Sequence, residues 1–306
     1  MKRTIITTLT ILVCLFLGKS LQARDSSSPP CGTKEVLNVV YKTVDKEQLQ
    51  LNLYLPVRNG EQATNVPVLI WIDSGGYTSG NPGNGGYWRT IGCVEKGFAV
   101  ASVSHRSLKA GNRFPTQIED VKAAVRFLRA HSKEYGLDPK RFASMGASSG
   151  GHLSCMLGLS DAWRLFDVGE NLDQSSQVQR VIDCCGATYI QLALTTHCPE
   201  VVGIISDVSN IHPVPGKALW EQPDVVAACA KYSTLTYVDK DYAPTFIIQG
   251  GKDTLILPSQ SYLFYEMLNK VGVRTKIHVS EDAPHNALPA IPREILEKEL
   301  LEFLQW

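Results

Sequence analysis

An α/β fold is what this sequence predicts: a mostly parallel central sheet of about eight strands flanked by helices, with an insertion between the sixth and seventh strands. Three observations carry that expectation. From Val68 onward, short apolar runs alternate with helical patterns, as in crossover units that lay strands parallel. A small-residue segment, Gly146-Ala147-Ser148-Ser149-Gly150-Gly151, joins a strand-like run to a helix-like one. The chain has 306 residues, enough to bury one large core.

In chain order, Lys2 and Arg3 precede an apolar stretch from Ile5 to Leu17, followed by Ser20-Leu21-Gln22-Ala23. That is the layout of a secretory signal peptide over residues 1–23, and the apolar stretch is short for a membrane span. Cleavage near Ala23 is expected, with an uncleaved anchor as the alternative. Residues 24–35 read as a polar linker and 36–306 as a single domain. Strands are expected over Val36–Val44, Leu49–Val57, Val68–Asp73, Phe98–Ser104, Arg141–Ala147, Val181–Gly186, Thr245–Gln249 and Thr275–Ser280. The first two are joined by a polar turn at Asp45-Lys46-Glu47. A long helix is expected from Thr116 to Tyr135, because Ile118, Val121, Ala124, Val125 and Leu128 recur at helical spacing and Gly136 stops them. Another helix is expected over Ile291–Leu304. Residues 187–243 have weak periodicity and several prolines, and far exceed an ordinary connection, so they read as an insertion with short helices. It either shapes a substrate pocket at the carboxyl edge of the sheet or only covers apolar surface.

Thirty basic and thirty acidic residues leave no net charge, and no basic stripe points to nucleic acid. Of eight cysteines, Cys14 lies in the leader, so cleavage would leave an odd number. The sequence has no C-x-x-C or H-E-x-x-H spacing, so no metal site is expected. The adjacent Cys184-Cys185 pair reads as small buried hydrophobes.

The segment around Ser148 fits a nucleophile elbow, where small neighbours permit a tight, strained turn that lifts the hydroxyl clear of the sheet. A serine needs a base to take its proton, and the base needs an acid to orient it. Asp253 follows the seventh strand in Gly250-Gly251-Lys252-Asp253. His285 follows the eighth in Glu281-Asp282-Ala283-Pro284-His285. The order serine, acid, histidine is the one this architecture requires. His105, His131, His152, His197, His212 and His278 are less suited by position, and His152 reads as a helix-packing residue. Oxyanion donors are expected from the amide of Ser149 and from the loop Asp73-Ser74-Gly75-Gly76-Tyr77. Tyr77, Tyr87 and Trp88 flank that loop and are candidates to line a sugar or aryl site, or to pack.

These residues resemble the α/β-hydrolase superfamily. They are most similar to the bacterial esterase branch that includes feruloyl-esterase-like and acetyl-xylan-esterase-like proteins, related to the hormone-sensitive-lipase group. The similarity runs from about Leu49 to the C-terminus and is most specific from Phe114 to Ala130, from Tyr135 to Arg141 and from Gly146 to Leu153. It implies an α/β-hydrolase fold, Ser148 as nucleophile, Asp253 as orienting acid, His285 as base, and Gly75, Gly76 and Ser149 as the oxyanion hole, with no cofactor. Two positions depart from the family pattern. Asp73-Ser74 stands where a His-Gly pair is usual, and an ionised carboxylate cannot donate as histidine does. His105-Arg106 replaces a Tyr-Arg pair, and Arg106 is expected to pair with Asp120. The expected activity is hydrolysis of carboxylic esters, with acetyl or feruloyl groups on plant polysaccharides or their fragments as substrate, in a secreted or periplasmic setting. No nucleic-acid partner and no stable membrane insertion after cleavage are expected. The alternatives are a lipase or peptidase with the same triad, or a non-catalytic binding protein on the same scaffold.

Overall fold

The computed structural model describes residues 29–78, 82, 90–195, 218, 221–285 and 287–306. The expected leader at 1–23 and the first five residues of the linker, 24–28, lie outside the described residues. Among those residues, nine strands form a mixed sheet: β1 Thr33–Val44, β2 Glu47–Arg58, β3 Glu61–Gln62, β4 Val66–Ile72, β5 Ala99–Val103, β6 Leu137–Ala147, β7 Arg180–Cys184, β8 Thr245–Gly250 and β9 Thr275–Ser280. Their order is β1-β2-β5-β4-β6-β7-β8-β9, with β3 paired to β2. The β1–β2, β2–β3 and β2–β5 pairings are antiparallel, and every pairing from β5 through β4 to β9 is parallel.

Alternation along the inner strands divides their side chains between two cores, since successive residues of a strand face opposite sides. In β4, Val68, Ile70 and Ile72 enter one core while Leu69 and Trp71 enter the other. The first face is covered by helices α1 (Thr116–Ala130) and α3 (Ser149–Leu157), with α5 (Pro223–Tyr232) and α6 (Pro258–Lys270). On the opposite face lie α7 (Arg293–Phe303) and a 3-10 turn at Ile91–Val94. Each fully buried Val, Leu or Ile contributes roughly 1.5–3 kcal/mol, so a sheet packed on both faces makes a rigid platform.

The expected helix over Thr116–Tyr135 is broken. It ends as α1 at Ala130, and a single turn, α2 (Ser132–Tyr135), follows. His131 lies between them at φ −98°, ψ 16°. The Phe127 carbonyl accepts from both the His131 amide and the ring Nδ1, a side-chain bond that competes with the helical ladder. Strand β6 starts four residues before the expected Arg141, because Pro139 is accommodated where the β4–β6 register shifts between Val66 and Val68. Within the insertion, α4 (Ile190–Thr195), α5 and a 3-10 turn at Thr234–Tyr237 supply the short helices; residues 196–217 lie outside the described residues.

Candidate active site

All three residues expected to act together come from the carboxyl edge of the parallel strands. Ser148 lies between the end of β6 and the start of α3, with φ 54° and ψ −120°. Few residues occupy that region, and it turns the side chain away from the sheet. The turn is possible because α3 packs directly on the backbone of β4. A Cβ on Gly150 would stand 2.3 Å from the Ile72 carbonyl oxygen and 2.6 Å from that of Asp73.

Asp253 follows β8 in a turn pressed against the loop after β9. A Cβ on Gly250 would meet the Pro284 carbonyl oxygen at 2.2 Å, so only glycine lets the two loops approach this closely. The Lys252 amide donates to the Ala283 carbonyl at 2.9 Å and helps to hold them together. The Asp253 carboxylate is buried and collects four donors. Oδ1 accepts from the amides of Leu255 and Ile256, both at 2.9 Å. Oδ2 accepts from Gln249 Nε2 at 3.1 Å and from His285 Nδ1 at 2.7 Å. A carboxylate only accepts, so His285 carries its proton on Nδ1 and offers the Nε2 lone pair to Ser148. Ser148 Oγ lies 2.9 Å from that Nε2, with the hydroxyl donating. The serine remains 8% exposed, so a substrate can reach it.

The loop after β4 reaches the same edge. Gly75, Gly76 and Tyr77 have φ of 104°, 62° and 61°, three successive left-handed residues that turn the chain sharply. Ser149 is the first residue of α3, where helix amides have no intrahelical partner and the helix dipole is positive. Asp73 is buried, and its Oδ1 accepts from the Ser74 amide at 2.9 Å, which engages one carboxylate oxygen with the loop's own backbone.

Tyr77, a candidate to line the substrate site, has its ring buried edge-on against Phe114, with centroids 4.8 Å apart. Its hydroxyl lies 2.8 Å from His152 Nδ1. It therefore anchors the loop from within and presents no ring face to a ligand. Tyr87 and Trp88 lie outside the described residues. His152 is buried against Phe114 and Tyr77, as a packing residue would be, and desolvation lowers its pKa to about 4.

Arg106 meets Asp120 through its backbone amide (3.0 Å), Nε (2.9 Å) and Nη2 (2.8 Å), and Lys42 Nζ reaches the same carboxylate at 2.7 Å. His105 donates from Nδ1 to the Arg106 carbonyl at 3.0 Å, and burial lowers its pKa. This pair thus braces the loop after β5 against α1.

Sequence reasoning missed two features. Gln249, at the end of β8, donates to Asp253 while Ser261 Oγ donates to Gln249 Oε1 at 2.7 Å. A glutamine four residues before the acid was the available signal. Cys185, at φ 49° after β7, forms a group with Asp253 and His285 whose donor atoms lie within 4.8 Å of one another. Thiolate, carboxylate and imidazole form a set that can hold zinc, although here the last two are already bonded to each other.

A serine with a histidine base, an oriented acid and nearby backbone amides is equipped for acyl transfer through a covalent intermediate. The family model described as BD-FAE matches residues 51–268. Among relatives, the probable carboxylic ester hydrolase LipM of Mycobacterium tuberculosis is 26% identical over 215 residues, covering 69% of this chain and 47% of LipM. Esterase LipC of the same organism is 28% identical over 208 residues, covering 67% of this chain and 49% of LipC. The chain spans about half the length of these curated relatives. Among solved structures, a truncated carbohydrate esterase from gut microbiota superposes with a TM-score of 0.70 at 23% identity, covering 90% of this chain and 99% of that one. This last likeness is one of fold.

Proposed function

We propose that this chain, which belongs to the BD-FAE family of the α/β-hydrolase superfamily, is a serine carboxylic-ester hydrolase. The observation that carries the reading is the continuous chain from Ser148 Oγ to His285 Nε2 at 2.9 Å and from His285 Nδ1 to Asp253 Oδ2 at 2.7 Å. His285 takes the Ser148 proton as the oxygen attacks the ester carbonyl, and Asp253 stabilises the imidazolium that forms. The amides of Gly75, Gly76 and Ser149 receive the oxyanion. His285 then protonates the departing alcohol, and in the second half-reaction it deprotonates the water that releases the acid.

For substrate, we favour acetyl or feruloyl esters on plant polysaccharides or their fragments. The family match and the carbohydrate-esterase neighbour support this choice. Export follows from the leader pattern at residues 1–23 and suits a polymeric substrate outside the cell. No helix among the described residues is long and apolar enough to cross a membrane.

A fluorophosphonate probe should label the wild type at Ser148 and leave Ser148→Ala unlabelled, with ester turnover falling by at least about 10⁴-fold. Folded wild-type protein that takes up no probe would overturn the esterase reading. Comparing kcat/KM for p-nitrophenyl acyl esters, methyl ferulate and acetylated xylan tests the substrate class. The N-terminus of exported protein, expected near Arg24, tests the leader.

A further inference from the structure

The loop that carries Gly75 and Gly76 is joined to the nucleophile helix by a side-chain relay. Tyr77 continues the left-handed run at φ 61°, a conformation that a bulky residue holds only where its surroundings impose it. Its ring is 2% exposed, and its hydroxyl lies 2.8 Å from His152 Nδ1. On the far side of that imidazole, Nε2 lies 2.8 Å from the carbonyl oxygen of Tyr232, the last residue of α5.

The chemistry of the two ends fixes the direction of the relay. A carbonyl only accepts, so Nε2 bears the ring proton. Nδ1 is then the acceptor, and the Tyr77 hydroxyl donates to it. Only this neutral tautomer satisfies both bonds. His152 also sits on the first turn of α3, where its backbone amide donates to the Ser148 carbonyl at 3.0 Å. One residue therefore takes its backbone position from the nucleophile and its side-chain partners from the loop after β4 and from the insertion. Phe114 closes the group, with ring centroids 4.8 Å from Tyr77 and 5.5 Å from Tyr232.

We infer that His152 is a positioning residue that sets the oxyanion-binding amides of the 75–77 loop against Ser149. Through the Tyr232 carbonyl, it makes α5 of the insertion part of that geometry. The inference rests on the reading that Gly75, Gly76 and Ser149 receive the oxyanion. Amides aimed at a developing charge work only when they are held in place beforehand, and small displacements of such groups cost large factors in rate.

The test uses the full protein with active sites counted by fluorophosphonate labelling. Tyr77→Phe removes only the hydroxyl. His152→Phe keeps a buried ring but removes both bonds, and His152→Gln keeps one donor and one acceptor at similar spacing. Tyr77→Phe and His152→Phe should each lower kcat per labelled site by roughly 10- to 100-fold with KM changed by less than about 3-fold. Both should weaken binding of a trifluoromethyl ketone, which mimics the tetrahedral state, by a similar factor. His152→Gln should recover most of the loss, and the double variant should be no worse than His152→Phe alone. Wild-type kcat per labelled site in Tyr77→Phe, or losses that multiply in the double variant, would overturn the inference. Unlabelled wild type would instead overturn the esterase reading, and this one with it.

Discussion

At Ser148 the backbone occupies a region that costs roughly 1–3 kcal/mol, and its own bonds hold it there. Its amide donates to the Cys184 carbonyl at 2.8 Å, and its carbonyl accepts from His152. That Ser148, Asp253 and His285 meet was legible because each follows a strand in the order expected of this architecture. What holds them was less legible, because the partners are scattered: Tyr77 and His152 lie 75 positions apart, and His152 and Tyr232 lie 80 apart. Nor does composition reveal that Tyr77 points inward, since a loop aromatic suits a sugar platform and a core equally well. Gln249 shows what such support is worth. Its amide nitrogen donates to Asp253, to the Gly250 carbonyl at 3.1 Å and to the Ile256 carbonyl at 3.2 Å, so it holds the whole acid turn. Gln249→Leu strands the buried Ser261 hydroxyl and these acceptors. The expected cost is about 1–3 kcal/mol in urea unfolding, with a kcat loss of about 10-fold as the Asp253–His285 alignment loosens. An unchanged kcat in folded variant protein would show that the two amides on Oδ1 suffice.

The elements were read well wherever burial on one or both faces stamps a period on the sequence. All eight expected strands are present, and β3 was missed because two residues carry no period. Helix α1 was overrun by one turn, since the break depends on which way the His131 ring bonds and the apolar spacing does not record that. Helix α3 is the element on which the candidate site depends most. Its first turn lies on the carbonyls of Ile72 and Asp73, and β4 is held between β5 and β6 in register on both sides. Gly150→Ala therefore places a methyl against a backbone that cannot retreat, and α3 must lift. Overpacking of this kind typically costs 1–3 kcal/mol, about enough to lower the midpoint of thermal unfolding by several degrees. Activity should fall much further than stability, because Ser148 and Ser149 move with the helix. A variant with near-wild-type kcat would mean that β4 yields instead.

Across the whole molecule, two buried groups of opposite character pull stability in opposite directions with pH. His152 has a native pKa lowered to about 4 by desolvation, so between that value and its unfolded value of 6.5 the unfolded chain binds the extra proton. Its contribution is complete above about pH 6.5 and declines as the pH falls towards 4. Asp183, on β7 beneath the first turn of α3, behaves in the reverse sense. Burial raises its pKa to about 7 from 3.8, although the Gly186 amide donates to its Oδ1. The native state therefore holds the extra proton between about pH 4 and 7, and stability declines as the pH rises through that window. The two slopes are each close to 1.4 kcal/mol per pH unit at full effect, and they offset one another between pH 4 and 6.5. His105, also lowered by burial, adds to the His152 side. Replacing Asp183 by asparagine mimics the protonated carboxyl at every pH and exposes the histidine slope. Asp183→Asn should match wild type in urea unfolding near pH 4 and exceed it by up to about 4 kcal/mol at pH 8. It should also lose stability more steeply than the wild type on acidification from pH 6.5. A difference between the two proteins that does not vary with pH would show that Asp183 is ionised in the folded state throughout.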